Sequence, residues 1–164
     1  MSDAAALLLA AFNTERGRAM SVTRIGPQHL AGVAAIEKEV FANPWSEKSL
    51  ELLCSEFAFG FAALEGDTVT AYGGMLTVLD EGQITNIATH PNYRRQGLAA
   101  KVLSALLEQA RAKGIVSVTL EVRASNAAAI ALYQKFGFSA VGKRPRFYTH
   151  PIEDALIMQC NLTS

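Results

Sequence analysis

Apolar positions recur along the chain with two periods, and the change from one to the other outlines the elements. From Leu30 they fall at Val33, Ile36 and Val40, and from Leu98 at Val102, Leu103, Leu106, Leu107 and Ala110. Steps of three and four residues put such side chains on one face of a helix. Gly26-Pro27 opens the first helix, since proline suits a first helical position. A second helix is expected from Ser46 as its cap, with Leu50, Leu53 and Cys54 as its buried side. Residues 57–64 and 68–79 read as strands joined by Glu65-Gly66-Asp67, and a third strand follows Asp80-Glu81-Gly82. Helix and strand then alternate, with a helix over 97–113, a strand over 116–122 and a helix over 126–136. Terminal strands are expected near 138–142 and 155–161. With a short strand at Val22, the pattern predicts an α/β domain over residues 21–164, a mixed sheet covered by helices on both faces.

Residues 1–20 stand apart as an N-terminal extension. The apolar run from Ala4 to Phe12 has the length of a signal-peptide core, but Asp3 precedes it and Asn13-Thr14-Glu15-Arg16 follows without a small-residue cleavage site. It is also too short to span a bilayer. A helix is expected there. Met20-Ser21-Val22 would itself make a sensible start, so an accessory segment and an upstream start codon are both open readings.

Composition narrows the partners. The 164 residues carry 15 basic and 15 acidic side chains, a formal charge of zero, so nothing global draws the chain to nucleic acid or to a membrane. Direct nucleic-acid binding and membrane attachment are not expected. The cysteines, Cys54 and Cys160, make no paired Cys-x-x-Cys spacing, which suits a reducing, cytoplasmic setting and offers no zinc site. His29, His90 and His150 are widely spaced and read as structural or surface residues; no metal is expected. Oligomeric state is not legible.

Candidate chemistry begins at Asn92-Tyr93-Arg94-Arg95-Gln96-Gly97-Leu98-Ala99. A basic glycine loop here runs into a helix N-terminus, where unpaired N–H groups and the positive end of the helix dipole hold an anion such as a phosphate. Gly97 allows close backbone approach. The dinucleotide pattern Gly-x-Gly-x-x-Gly and the Walker pattern are both absent.

The strand over 116–122 alternates Val116, Val118, Leu120 and Val122 with Ser117, Thr119 and Glu121. Read from the residues alone, Glu121 stands either in a central strand, where partial burial would favour its use as a proton acceptor, or on an edge strand whose polar face meets water. Asn126 caps the following helix and Gly137 ends it in the left-handed position. Tyr133, seven residues beyond Asn126, projects to a similar side. Trp45, the single tryptophan, reads as a core anchor or as part of a substrate mouth.

These stretches resemble the GNAT superfamily of N-acetyltransferases. Arg94, Gly97 and Ala99 match its pyrophosphate loop, Arg/Gln-x-x-Gly-x-Gly/Ala. The run from Leu120-Glu121-Val122-Arg123-Ala124-Ser125-Asn126 through Leu132-Tyr133 and Gly137-Phe138 is similar to the bacterial RimI group within it, which acetylates the N-terminal amine of a ribosomal protein. Asn43-Pro44-Trp45-Ser46-Glu47-Lys48 and Glu153-Asp154-Ala155-Leu156-Ile157-Met158 are similar as well. The resemblance covers residues from about Val22 to Leu162.

It implies a GNAT-like, mostly antiparallel sheet, acetyl-coenzyme A as co-substrate, and a protein N-terminus, that of a ribosomal protein, as acceptor. Glu121 would be the general base and Tyr133 the general acid. Backbone groups of Ile87, Ala88 and Thr89 would meet the acetyl and pantetheine part. Arg94, Arg95, Gln96, Gly97, Leu98, Ala99 and Ala100 would hold the pyrophosphate, and Asn126 the cofactor arm. Trp45 and Tyr148 would bind the acceptor. Arg144-Pro145-Arg146-Phe147-Tyr148 departs from the group at Pro145 and Phe147. Transfer to a lysine side chain or small amine, and binding of acetyl-coenzyme A without catalysis, are the alternative readings.

Overall fold

The computed structural model describes residues 10–14 and 17–163. One eight-stranded sheet runs in the order β1-β2-β3-β4-β5-β6-β8-β7. Its strands are β1 (Ala10–Asn13), β2 (Ala19–Arg24), β3 (Ala58–Glu65), β4 (Thr68–Val78), β5 (Glu81–Thr89), β6 (Ser117–Arg123), β7 (Ser139–Tyr148) and β8 (Glu153–Asn161). Every neighbouring pair is antiparallel except β5 with β6. The helices are α1 (Leu30–Val40), the single turn α2 (Glu47–Leu50), α3 (Leu98–Ala112) and α4 (Ala127–Lys135). Among the described residues no helix is long and apolar enough to cross a membrane.

Two cores sandwich the sheet, and β3 serves both. Because successive strand residues face opposite ways, Phe59, Phe61 and Ala63 join the core under α3, whereas Ala58, Ala62 and Leu64 join the one under α1. Leu98, Val102, Leu103, Leu106, Leu107 and Ala110 of α3 are all buried, as their spacing predicts. The helix lies close on β4: a Cβ at Gly73 would come within 2.8 Å of Val102 Cγ1 and 2.9 Å of Leu106 Cδ1. Glycine there lets α3 rest on bare backbone.

Three expectations need correction. Instead of the expected helix in the N-terminal extension, Ala10–Asn13 forms β1, hydrogen-bonded antiparallel to β2; residues 1–9 lie outside the described residues. A turn with Thr14 N–H on Arg18 C=O at 2.9 Å, and Gly17 at φ +78°, folds the strand back, and the free edge of β2 supplies a backbone partner that a short isolated helix lacks. The boundary expected after residue 20 thus falls inside β2. Cys54 is exposed, because the helix after Ser46 tightens beyond Leu50 into a 3₁₀ turn (Glu51–Cys54) that buries Leu53 alone. Finally, β7 runs on to Tyr148. It is an edge strand exposed over nearly its whole length, so no apolar alternation marks its extent.

The packing of α3 on β4 sets one expected outcome. Leu106→Ala removes a fully buried side chain, and its urea unfolding should report a loss of about 2–5 kcal/mol. Leu79→Ala, at a position 95% exposed, should stay within about 0.5 kcal/mol of the parent.

Candidate active site

The site begins with a defect in the sheet. β5 and β6 pair in parallel only over Glu81↔Ser117, Gly82↔Val118 and Gln83↔Thr119, and then part. On its other side β5 carries a bulge: Gly73 pairs with Ile87 and Met75 with Ile84, so Thr85 and Asn86 together oppose Gly74. A bulge bends its strand, and this one lies where β5 leaves β6. Each strand keeps its second neighbour, β4 for β5 and β8 for β6, so the sheet survives the gap. Beyond Gln83 the backbone groups of β5 that face β6 have no strand partner among the described residues.

A cavity of about 540 Å³ fills the gap. Ile84 to Ile87 line one wall and Leu120 to Arg123 the other; α4 contributes Ala129 and Tyr133, and its cap Asn126. Residues 41–43 and Trp45 of the α1–α2 loop, with Phe147, Tyr148 and Thr149 of β7 and its following turn, complete the lining. Asn43 Nδ2 donates to Thr149 Oγ1 at 3.3 Å, joining the two loops across it. Six of the expected site residues therefore meet in one space: Ile87, Glu121, Asn126 and Tyr133 with Trp45 and Tyr148.

Glu121 reaches this cavity because β6 is a central strand, which decides between the two readings of its sequence. Val118, Leu120 and Val122 are buried in the α3 core and Glu121 takes the alternate face. Its carboxylate is held at both oxygens, Oε1 by Gln83 Nε2 at 3.3 Å and Oε2 by Arg144 Nε at 3.4 Å. Asn126 caps α4, its side chain accepting from Ala129 N–H at 3.2 Å, so the helix starts beside the cavity wall. Tyr133 is 7% exposed. Burial, then the nearby Tyr148, pushes its phenol up to about 12, so it keeps its proton at neutral pH.

Tyr148 is itself raised, by burial first and then by the Glu121 carboxylate. Arg123 fixes it in place. The guanidinium lies 4.5 Å from the centre of the Tyr148 ring, donates to Thr149 C=O at 3.1 Å and Pro151 C=O at 3.0 Å, and pairs with Glu153 at 3.3 Å. Glu153 also accepts from Ser125 N–H at 2.6 Å; the Ser125 hydroxyl first, then this N–H and Arg123, hold its carboxyl below the usual range against a smaller opposing effect of burial.

The basic loop stands after the C-terminal end of β5, past the turn Pro91–Tyr93. Arg95 has φ +63° and Gly97 φ +77°, and Gly97 offers α3 no capping side chain. Backbone of such alternating hand turns successive N–H groups toward one point, a concavity for anions. Arg94 and Arg95 are exposed. Gln96 is only 3% exposed, and neither polar atom of its amide has a hydrogen-bond partner among the described residues. Among the described residues, its chain neighbours aside, a Cβ at Gly97 would meet no atom within 4 Å. The loop thus carries orphaned polar groups and open space at a helix N-terminus, which fits a pyrophosphate. Arg94 to Ala100, with Ala88 and Thr89, stand outside the cavity lining, and the Ala88 side chain is buried in the α1 core.

Sequence reasoning missed Glu37, Tyr72 and Asn86. Glu37 is fully buried, and its carboxylate accepts from Trp45 N–H at 2.8 Å, from Asn86 Nδ2 at 3.1 Å and from the Tyr72 hydroxyl. One signal was available: Glu37 follows Leu30 by seven residues and Val33 by four, an apolar-stripe position occupied by a carboxylate. Among the described residues no group of three or more His, Cys, Asp and Glu side chains is disposed to hold a metal. His29 is buried, its Nδ1 accepting from Gly26 N–H at 2.9 Å.

With this geometry in hand, comparison with known proteins is specific. Residues 30–138 match the acetyltransferase (GNAT) family. The [ribosomal protein bS18]-alanine N-acetyltransferase of Escherichia coli K12 is 41% identical over 125 residues, 75% of this chain and 84% of that protein. The crystal structure of the ribosomal-protein-S18-alanine N-acetyltransferase from Escherichia coli is similar with a TM-score of 0.82 and 35% identity, over 88% of this chain and 95% of that one. A PaiA N-acetyltransferase from Thermoplasma acidophilum, solved in complex with coenzyme A, shares the fold at a TM-score of 0.70 and 13% identity, over 87% and 98% of the two chains.

All four tyrosines are shifted upward: Tyr72 by burial and the Glu37 carboxylate, Tyr93 by its hydrogen bond to Glu65, and Tyr133 and Tyr148 as described. Unfolded tyrosine ionises near pH 10. Below that pH both states hold the phenol protons and the contribution to stability is complete. Above it the unfolded chain ionises first, the native state binds more protons, and stability falls through the native pKa values. Phenolate absorbance of the native protein should therefore lack a step centred at about pH 10, a step that appears once urea unfolds it.

Proposed function

The chain belongs to the acetyltransferase (GNAT) family, and from that premise we propose that it moves an acetyl group from acetyl-coenzyme A to the α-amine of a protein N-terminus, that of a small-subunit ribosomal protein. The relative at 41% identity is named for acetylating an alanine of ribosomal protein bS18, and it is covered over most of its length. The observation that carries the reading is the cavity between β5 and β6, where Glu121 and Tyr133 line one space whose mouth is bridged by Asn43 and Thr149. A bridged mouth takes a chain end more readily than the middle of a chain.

Acetyl-coenzyme A supplies an activated acetyl thioester. The left-handed backbone at Arg95 and Gly97 and the N–H groups at the start of α3 would hold its pyrophosphate, with Arg94 and Arg95 adding charge. The unpaired edge of β5 at Ile87, Ala88 and Thr89 would give its arm the hydrogen bonds that β6 no longer provides, and Asn126 borders the same space. A coenzyme A complex in a protein of the same fold is consistent with this use of the gap.

Proton handling falls to two side chains. An α-ammonium has a pKa of about 7.7–8.0 against about 10.4 for lysine, so Glu121, directly or through water, frees the lone pair of an N-terminal amine with less work. Gln83 and Arg144 orient the carboxylate for that task. A backbone N–H near Ile87 or Ala88 polarises the carbonyl under attack. Tyr133, protonated at working pH, donates to the departing sulphur. Its proton is held more tightly than a thiol's, so the donation strengthens as charge gathers on sulphur rather than preceding it. Of the two protons that the ammonium gives up, one leaves through Glu121 to solvent and the other returns to Tyr133 by way of water, so the thiol leaves protonated and the phenol is restored. Neither Cys54 nor Cys160 lines the cavity, which supports direct attack over an acetylated enzyme.

Acetyl-coenzyme A should raise the melting temperature, since a ligand of the native state alone stabilises it. Gly97→Val places a β-branched side chain at φ +77° and in the space beside the loop. It should cost about 1–3 kcal/mol of stability and lose most of the ligand-dependent rise; an undiminished rise would remove this loop from the site.

Transfer is tested with a short peptide bearing a free N-terminus, the same peptide blocked at that end with an internal lysine free, and a polyamine. The free N-terminus should react fastest; a faster lysine peptide or polyamine would assign another acceptor class. Glu121→Gln and Tyr133→Phe should keep the acetyl-coenzyme A response and lose turnover by about 10²–10⁴, with rising pH partly restoring the Glu121 variant. Turnover close to the parent's in both would dismiss the proposed roles.

A further inference from the structure

Glu37 is an expensive residue for its place. It is fully buried on α1, and the donors that its carboxylate receives, Trp45 N–H, Asn86 Nδ2 and the Tyr72 hydroxyl, are all neutral. An apolar side chain would serve the α1 core at least as well, since burying a charge without a counter-charge is costly. What the carboxylate can do and an apolar group cannot is decide which way its partners face. Two of those partners, Trp45 and Asn86, line the cavity, and Tyr72 on β4 lies behind them.

A carboxylate only accepts hydrogen bonds. Asn86 must therefore turn its NH₂ toward Glu37, and the carbonyl Oδ1, which has no partner among the described residues, is the polar atom left for the cavity. The β5 bulge at Thr85 and Asn86 carries this side chain into the gap. Glu121 stands on the opposing wall, so the gap offers hydrogen-bond acceptors from both strands. A chain end supplies what they lack: an ammonium and, one residue on, a peptide N–H. Resting on the acceptor class proposed above, we propose that Glu37 is a positioning residue for acceptor recognition. It fixes Asn86 so that Oδ1 accepts from an N–H of the incoming chain end, and it pins the backbone of Trp45 beside that contact.

Trp45 is the only tryptophan, so its fluorescence reports acceptor binding directly. The variants are Glu37→Gln, which keeps the shape but lets the Asn86 amide turn over, Asn86→Ala, and the two combined. Each single variant should weaken peptide binding, read from Trp45 emission, and raise the peptide KM by about tenfold, as for one lost hydrogen bond. kcat and the acetyl-coenzyme A melting response should stay near the parent's. The combined variant should be no worse than either single one, because both act through one contact.

Unchanged peptide affinity in a folded variant would overturn the proposal. So would additive losses, or an acetyl-coenzyme A response that falls as far as peptide affinity does. Should Glu37→Gln fail to fold, Asn86→Ala, which leaves two donors on the carboxylate, decides alone. The parent is first run against the three acceptors named above, and the variants are judged on whichever reacts fastest. A lysine peptide or polyamine in that place would defeat the acceptor class, while a loss of affinity for it, confined to the acceptor, would uphold the Glu37–Asn86 pair.

Discussion

Everything in this fold turns on two parallel strands that start together and then separate. β5 and β6 share three residue pairs and then diverge where β5 carries its bulge. A gap of this kind would ordinarily open a sheet. It is held because β4 and β8 keep the outer edges of the two strands paired, and because α3 and α1 press on the sheet from opposite sides. The backbone groups left over inside the gap are costly to bury unpaired. They are also the groups that an extended ligand can pair with, so the flaw in the sheet and the binding surface are one feature.

Two loops close over the gap, and each is fixed by a charge rather than by apolar contact. The buried Glu37 carboxylate holds the α1–α2 loop at Trp45, and the Arg123 guanidinium holds the turn after β7 at Thr149 and Pro151. The Arg123–Glu153 pair is only partly buried, at 29% and 18% side-chain exposure, and its effect on the fold is not chiefly one of stability. Its effect is geometric: one planar cation reaches two carbonyls and a tyrosine ring and so sets where Tyr148 stands. Directional bonds of this kind specify the shape of a cavity more closely than packing does, because each fixes an angle as well as a distance.

The N-terminal hairpin adds a further layer. Phe12 of β1 packs at the margin of the α3 core with Lys101 over its ring at 5.0 Å, and Arg18 lies 4.7 Å from the ring centre of Tyr93, whose hydroxyl donates to Glu65 at 2.7 Å. These contacts tie the hairpin to the first turn of α3 and to the turn that precedes the basic loop.

What the sequence determined by itself is whatever local chemistry dictates. The 3.6-residue stripe of α3, the Asn126 cap, the left-handed glycine at 137 and the alternation of β6 are each imposed by neighbours a few residues away, and each is present as expected. Tertiary structure decided the rest. Whether Glu121 faced water or a cavity depended on which strands flank β6, and Ala10–Asn13 became a strand because β2 left an edge to pair with. The bulge at Thr85 and Asn86 has no sequence mark, since it is a register between two strands and not a property of either. Glu37 acquires its role only when α1, β4, β5 and the Trp45 loop converge on it, and Arg144 only when an edge strand carries it to Glu121. Local pattern fixes which way a side chain points from its own backbone; what it then meets is set by elements far along the chain, through contacts that no short window of residues contains.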